Sequence, residues 1–298
     1  MPLDFETLVC YFRNLSVART LQILACNTVL ALSRQVNDSD HVDLRGLRIF
    51  LAAGDQGLSK ELKLFKTHEP LATSMYLKEL EKGMAIIDVG SNIGYYALLA
   101  AKQVGSGGKV LAIEPNPTAL KCLKRNVGSN QLGNIELRQI AVWDKETTVW
   151  FEVSPSLNSS RVVDTNDVSK VKTRGKLIRV QATTLDSLLG NYDKVDWLRF
   201  DVEGGELQII NGATETIRNF MPNIFMEFHP ILLGRERALG LLRKLHDYGY
   251  EIEYAVTRAV DRSFIAKEDR DLRKTKLDDL ITELANPMPA YLLLLKRH

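Results

Sequence analysis

The sequence predicts an α/β protein with a seven-stranded, mostly parallel sheet, and three observations predict it. From Met84 onward, short apolar runs alternate with amphipathic helical stretches, the texture of successive β/α units. A glycine-bearing loop, DVGSNIG at 88–94, joins the first of these runs to the first helix. The chain closes on AYLLLLKRH at 290–298, the nearly unbroken apolar run expected of a strand buried on both faces. Residues 1–82 have a different texture. The expected organisation is therefore a helical and hairpin lead-in over 1–82, then a domain over 83–298 with an insertion near 154–176.

Within the lead-in, Leu8, Tyr11, Phe12 and Leu15 recur at helical spacing, and NDSD at 37–40 ends the pattern. TLQILACNTVLALS at 20–33 is the longest near-apolar stretch, interrupted by Gln22 and Asn27. It reads as a helix packed on the protein in preference to a membrane-surface anchor, and no stretch reaches the roughly 18 apolar residues of a membrane span. VDLRGLRIFLAA at 42–53, with its central glycine, suits a strand pair or a bulged strand, and helix returns from Leu58 to Lys82 with Pro70 placed to open a second one. The domain then offers strands at 85–89, 109–114, 134–142, 195–202, 223–228, 251–256 and 290–298, and helices at YYALLAAKQV and PTALKCLKRNV. The interval 147–190 fits the alternation less well and reads as an extra hairpin followed by the short helix TTLDSLLG.

Composition narrows the class of partner. The 39 basic and 37 acidic residues leave a formal charge of +2, so no overall field advertises nucleic acid or membrane, although a local basic patch is not excluded. Cys10, Cys26 and Cys122 form neither a disulfide framework nor a short-spaced metal motif. With acids near the start, where a secretory signal carries basic residues, the expected setting is the cytoplasm. The oligomeric state is not written in the sequence.

DVGSNIG carries the most chemical information. It follows a strand and precedes a helix, so its glycines allow a tight turn and close backbone approach to a ligand at a helix start. A dinucleotide fold wants GxGxxG, whereas Gly90 and Gly94 stand four apart with Asp88 two residues ahead. That spacing favours S-adenosylmethionine over a nicotinamide cofactor. Glu114 closes the next strand, 24 residues after Gly90, where a carboxylate can accept from both ribose hydroxyls of an adenosine. A turn that merely packs helix on strand is the plainer alternative for the loop.

These residues resemble the FkbM-type methyltransferases, a family of class I S-adenosylmethionine-dependent enzymes. The resemblance runs from about His68 to Pro230 through HEP, IIDVGSNIGYY, AIEPNP, IAVWD, TTLDSL, LRFDVEGGELQIINGA and MEFHP. It implies a Rossmann-like sheet of order 3-2-1-4-5-7-6 with the seventh strand antiparallel. It also implies that Asp88, Gly90, Asn92 and Gly94 surround the methionine portion of the cofactor and that Glu114 holds the ribose. Ala141 and Val142, at the end of the third strand, would lie near the adenine edge. Asp201, at the end of the fourth strand, would approach the cofactor amino group or the methyl, and Glu69 could reach the same pocket.

Methyl transfer to an aliphatic hydroxyl needs alignment and a base. Asp201 and Glu203 bracket Val202, and Glu227 and His229 bracket Phe228, so two neighbouring strand ends aim acids and an imidazole at one cleft, where open α/β sheets bind ligands. Were the fourth strand to continue, Asp201 and Glu203 would share a face. His229 is the expected base, because its unperturbed pKa suits proton uptake near neutrality, with Glu203 as orienter or substitute. The alternative, left open, is that His229 caps the strand and Glu203 opens the next helix. His41, His68, His246 and His298 read as surface or core residues. Asp144 and Asp186 have no spacing that speaks for convergence on Asp201, and no metal is assigned.

The insertion, with Arg161, Lys170, Lys172, Arg174 and Lys176, reads equally as an acceptor lid or a solvated hairpin tip. The expected reaction is O-methylation of a hydroxyl on a sugar, glycan, lipid-linked or secondary-metabolite acceptor. RNA or protein methylation and a non-catalytic cofactor-binding module are the alternatives. The near-neutral charge and DVEG at the fourth strand argue against nucleic acid.

Overall fold

Every strand of the central sheet is brought in by its own sequence signal, and their order places the chemistry at one edge of the molecule. The computed structural model describes residues 5–32, 40–164, 173, 175–261, 275–285, 287 and 289–297. In chain order the lead-in elements are α1 (Phe5–Asn14), α2 (Val17–Leu32), β1 (His41–Leu44), β2 (Leu47–Phe50), α3 (Leu58–Phe65) and α4 (Pro70–Glu79). There follow β3 (Ala85–Val89), α5 (Tyr95–Val104), β4 (Lys109–Ile113), α6 (Pro117–Ser129), β5 (Ile135–Arg138), β6 (Ala141–Val142), β7 (Thr147–Val153), β8 (Arg161–Val163), β9 (Lys176–Thr183) and α7 (Leu185–Leu189). The remainder is β10 (Trp197–Phe200), α8 (Glu206–Asn211), α9 (Thr214–Phe220), β11 (Asn223–Phe228), α10 (Pro230–Leu233), α11 (Arg235–Asp247), β12 (Tyr250–Thr257), α12 (Leu277–Glu283) and β13 (Tyr291–Arg297).

The seven-stranded sheet runs β12-β13-β11-β10-β3-β4-β5, the expected 3-2-1-4-5-7-6 order, with β13 antiparallel to both neighbours. All five residues of β3 are buried, as are the first five of β13, because helices and neighbouring strands cover both faces. Lead-in residues Tyr11, Ile23, Ile49 and Leu62 join the same continuous core as the sheet. The β1–β2 hairpin turns through Arg45 and Gly46, both at positive φ, the conformation of a tight two-residue hairpin loop. Helix α2 buries Thr20, Ile23 and Cys26 and leaves Leu21 and Val29 exposed. Among the described residues, no helix is long and apolar enough to cross a membrane.

Local caps explain the element starts. Asn116 accepts from the Thr118 and Ala119 N–H groups ahead of α6, whose first residue is Pro117. Pro70 likewise opens α4, and the next two N–H groups, of Leu71 and Ala72, donate to the Asp261 carboxylate at 2.9 Å each.

Two expectations are corrected. The run 134–142 is not one strand: β5 stops at Arg138, and Ala141–Val142 leave the large sheet to pair with β9 in a second sheet of order β6-β9-β7-β8. The extra hairpin of 147–190 is thus the β7–β9 pair at the centre of that sheet. Second, β10 ends at Phe200, so Asp201 and Glu203 do not share a strand face. Both lie in the loop, with Glu203 at φ +54 and Gly204 at φ +99. Asp186, to which no metal role was assigned, accepts from the Glu215 and Thr216 N–H groups at the start of α9. Lys170, Lys172, Arg174 and His298 lie outside the described residues.

Candidate active site

The glycine loop and the first strand end build one wall of a cleft at the carboxyl edge of the sheet. Gly90 stands at φ +78, and a Cβ there would lie 2.1 Å from the Asp201 carbonyl oxygen, so only glycine lets the first and fourth strand ends meet so closely. The next turn aims the Asn92 N–H at Glu114 Oε2, 2.7 Å away, while Glu114 Oε1 accepts from the Asn116 N–H at 2.7 Å. Burial pushes the Glu114 carboxyl up to about 7, against the downward pull of those two amides.

The structure brings Gly90, Asn92, Glu114, Ala141, Val142 and Asp201 together on this cleft. Ala141 and Val142 arrive from β6 of the small sheet, not from the end of β5. Asp88 and Gly94 do not line it. Asp88, buried within β3, accepts from Arg199 Nη1 at 2.9 Å, and Arg199 Nη2 reaches Asp201 Oδ2 at 3.3 Å, with the guanidinium 4.3 Å above the Tyr96 ring. Asp88 therefore bears on the cleft through Arg199 and Asp201. Gly94 precedes α5 at φ +96, where a Cβ would meet Leu123 of α6 at 2.3 Å, so it serves helix packing.

Beside the cleft, Asp201 opens onto a buried cluster of acids around His229. The imidazole Nδ1 is 2.6 Å from Glu206 Oε1, and Nε2 faces Glu227 at 3.5 Å and Glu203 at 3.7 Å. Burial alone would lower the His229 pKa, but Glu203, Glu206 and Glu227 outweigh it and hold the ring well above its ordinary value. This reverses the premise that His229 titrates near neutrality. Burial raises Glu203 to about 7, and burial together with the charge of Glu227 holds Asp201 well above the usual carboxylate range. Glu69 does not line the cleft. It is buried against His68 Nε2 at 3.2 Å and Arg258 Nε at 2.6 Å, and Arg258 in turn approaches Glu227 at 3.7 Å.

Several contributors escaped sequence reasoning. Arg199 had a signal, an arginine inside the otherwise apolar strand WLRF, which requires buried carboxylates to pair with it. Glu206 also had one, as the last residue of DVEGGE. Arg258 had none, because it joins Glu61 and Glu69 of the lead-in to Glu227 on β11, partners that no local pattern brings together. The insertion was read as an acceptor lid or a hairpin tip, yet its described residues Leu157, Asn158, Ser160, Arg161 and Val162 line the same cleft as Glu114, opposite the glycine loop.

The model of the methyltransferase FkbM domain matches residues 88–252, more than half of the chain and every residue that lines the cleft. The chain belongs to the FkbM methyltransferase family. Among curated relatives, the hexuronic acid methyltransferase AglP of Haloferax volcanii is 28% identical over 52% of this chain and 60% of its own length. Methyltransferase sdnD of Sordaria araneosa is 25% identical over 48% of this chain and 65% of its own. The matched region thus spans less than two thirds of each of these relatives. A solved FkbM methyltransferase from Methylobacillus flagellatus aligns at 16% identity over 78% of this chain and 52% of that one, with a TM-score of 0.38.

The cofactor of the FkbM methyltransferase family is S-adenosylmethionine, and the residues lining the cleft fit it. Glu114 presents a carboxylate at the lining, and Asn92 Oδ1 is a buried acceptor without a partner there, a match for the cofactor's hydroxyl and ammonium donors. Replacing Glu114 by Ala is expected to weaken cofactor binding by about 1–3 kcal/mol, roughly one to two decades. Because the ionised carboxylate is the better acceptor, affinity in the parent protein rises with pH through about 7 and is flatter in the variant. Calorimetry at pH 6 and pH 8 measures both, and identical titrations for parent and variant would remove Glu114 from the site.

Proposed function

We propose that the protein methylates a hydroxyl group on a sugar, glycan, lipid-linked or secondary-metabolite acceptor, using S-adenosylmethionine. The observation that carries this reading is the junction at Asp201, where the cofactor cleft abuts a buried acid and imidazole cluster at the carboxyl ends of β10 and β11. The names of the Haloferax and Sordaria relatives, the first for a hexuronic acid methyltransferase, support an acceptor of this kind.

When bound, the cofactor supplies an electrophilic methyl on a sulfonium. The residues of this chain have to align an acceptor oxygen with it and remove a proton. Alignment is the larger share, since the positive charge disappears as the methyl transfers. Gly90, Asn92 and Glu114 would hold the cofactor, with Trp143 and Phe151 as apolar walls. For the proton, geometry favours Glu203 over His229. Glu203 sits in the loop with its side chain 19% exposed, whereas the ring is 5% exposed and enclosed by carboxylates. His229, fixed at Nδ1 by Glu206 and enclosed by carboxylates, does not itself accept the proton.

A radiolabelled methyl transfer into a cell extract tests the acceptor class. Label in a glycan, lipid-linked sugar or small hydroxylated metabolite is the expected result. Label confined to RNA or protein overturns the acceptor, and a calorimetric preference for a nicotinamide cofactor overturns the reading altogether.

A further inference from the structure

We propose that Asp201, Glu227 and His229 form a divalent-cation site at the carboxyl ends of β10 and β11. One donor atom from each lies within 4.8 Å of the other two. The His229 ring is 5% exposed and turned so that Nε2 faces the acids, yet its nearest oxygens there are at 3.5 Å in Glu227 and 3.7 Å in Glu203. Those separations exceed the ordinary N–H···O range of about 2.7–3.2 Å. They match instead the spacing of two neighbouring ligands of one ion, since bonds of about 2.0–2.3 Å place adjacent donors roughly 3–3.7 Å apart.

The surroundings agree with that use. Nδ1 is held at 2.6 Å by the fully buried Glu206, the carboxylate–imidazole arrangement that orients a metal-binding histidine. Asp201 Oδ2 is taken by Arg199, but Oδ1 is buried and has no partner. Four carboxylates, Asp201, Glu203, Glu206 and Glu227, crowd this one imidazole. Three guanidiniums lie nearby and each is engaged, Arg199 by Asp88, Arg258 by Glu69 and Arg161 by Glu152. A cation would offset the excess negative charge and would take the place that the Nε2 proton holds in the ion-free protein. Two carboxylates and one imidazole suit Mn2+, with Zn2+ and Mg2+ as competitors. Seated beside the cofactor cleft, the ion would bind and polarise the acceptor hydroxyl. This last role rests on the proposed reaction, whereas the ion site does not.

The test is titration of Mn2+ into the full chain after EDTA dialysis, with free Mn2+ read by electron paramagnetic resonance. One saturable site per chain is expected. Glu227→Gln and His229→Gln should each raise the Mn2+ dissociation constant by about tenfold or more. Binding of S-adenosylhomocysteine, followed calorimetrically, should stay within about twofold in both, because neither residue lines the cofactor cleft. Thermal melting checks that each variant is folded, and the milder Glu227→Gln serves if His229→Gln is not. Asp201→Asn decides whether Oδ1 serves the ion, in which case Mn2+ binding falls, or only the cofactor, in which case it does not and the three-ligand site is overturned. Absence of saturable Mn2+ binding, with and without S-adenosylhomocysteine, also overturns it. Methyl transfer persisting in EDTA would leave the proposed reaction standing while removing the ion's part in it. Mn2+ binding without any cofactor binding would do the opposite.

Discussion

Replacing Glu203 by Gln lowers turnover by about two to four orders of magnitude, the usual contribution of a positioned base. Gln keeps the size of the side chain and its polar contacts, so the loss reports proton acceptance and not packing. Cofactor affinity stays nearly unchanged, since Glu203 does not line the cleft that holds Glu114 and Gly90. The separation matters: a loss in kcat at constant cofactor affinity identifies an interaction made only on the way to the transition state. Glu203→Asp should recover part of the rate, because a carboxylate remains but stands about one methylene short. Single-turnover measurements at saturating cofactor check this. A Glu203→Gln variant with parental turnover would move the base elsewhere, and comparable loss in Glu203→Gln and His229→Gln would bind the two into one functional unit.

The sheet was legible because each central strand is a short apolar run beside a helix of the right period, and β13 announces itself by being apolar on both faces. The cleft wall was legible for a related reason. Gly90, Asn92 and Glu114 lie at the ends of consecutive strands, so chain order and space coincide. Legibility failed where the chain leaves that order. Ala141 and Val142 looked like a continuation of β5, since Ile140, Ala141 and Val142 extend the apolar pattern without a turn residue, yet they pair with β9, about 40 residues on. The charge state of His229 was not legible from its ordinary pKa. The three carboxylates that hold it charged come from the β10–α8 loop, the start of α8 and β11, and only the last is its sequence neighbour. HEP allowed Glu69 to reach the pocket but did not place it there. Its burial against Arg258 depends on a contact with the end of β12 that no local pattern encodes.

That contact sets the largest stability effect. Glu69 is 1% exposed, pairs with His68 and Arg258, and accepts from the Tyr96 hydroxyl at 2.6 Å. Glu69→Ala therefore leaves two buried cations and a buried hydroxyl short of a partner, a loss of about 3–5 kcal/mol for a broken buried ion pair. At roughly 2–4 °C per kcal/mol for a chain of this size class, the melting temperature falls by the order of 10 °C. The pH dependence has a definite sign. Burial alone would lower the His68 pKa, but Glu69 and Glu61 outweigh it and raise the group to about 10 from an ordinary 6.5. A raised histidine pKa contributes stability that is complete below about 6.5 and is lost as pH rises through about 10. The parent protein should accordingly lose stability between pH 7 and pH 10. In Glu69→Gln, where the Glu69 charge no longer supports His68, that loss should begin at the same pH but be smaller and complete at lower pH. Thermal unfolding of parent, Glu69→Ala and Glu69→Gln at pH 6, 8 and 10 separates the two effects. Equal melting of all three at pH 6 would mean that the buried network contributes nothing to holding the lead-in on the domain. The same network carries a consequence for the site, because Arg258 spans Glu69 and Glu227. Loosening Glu69 should free Arg258 to close on Glu227 and so weaken Mn2+ binding at Asp201, Glu227 and His229, an effect transmitted from α4 without any contact between Glu69 and the cleft.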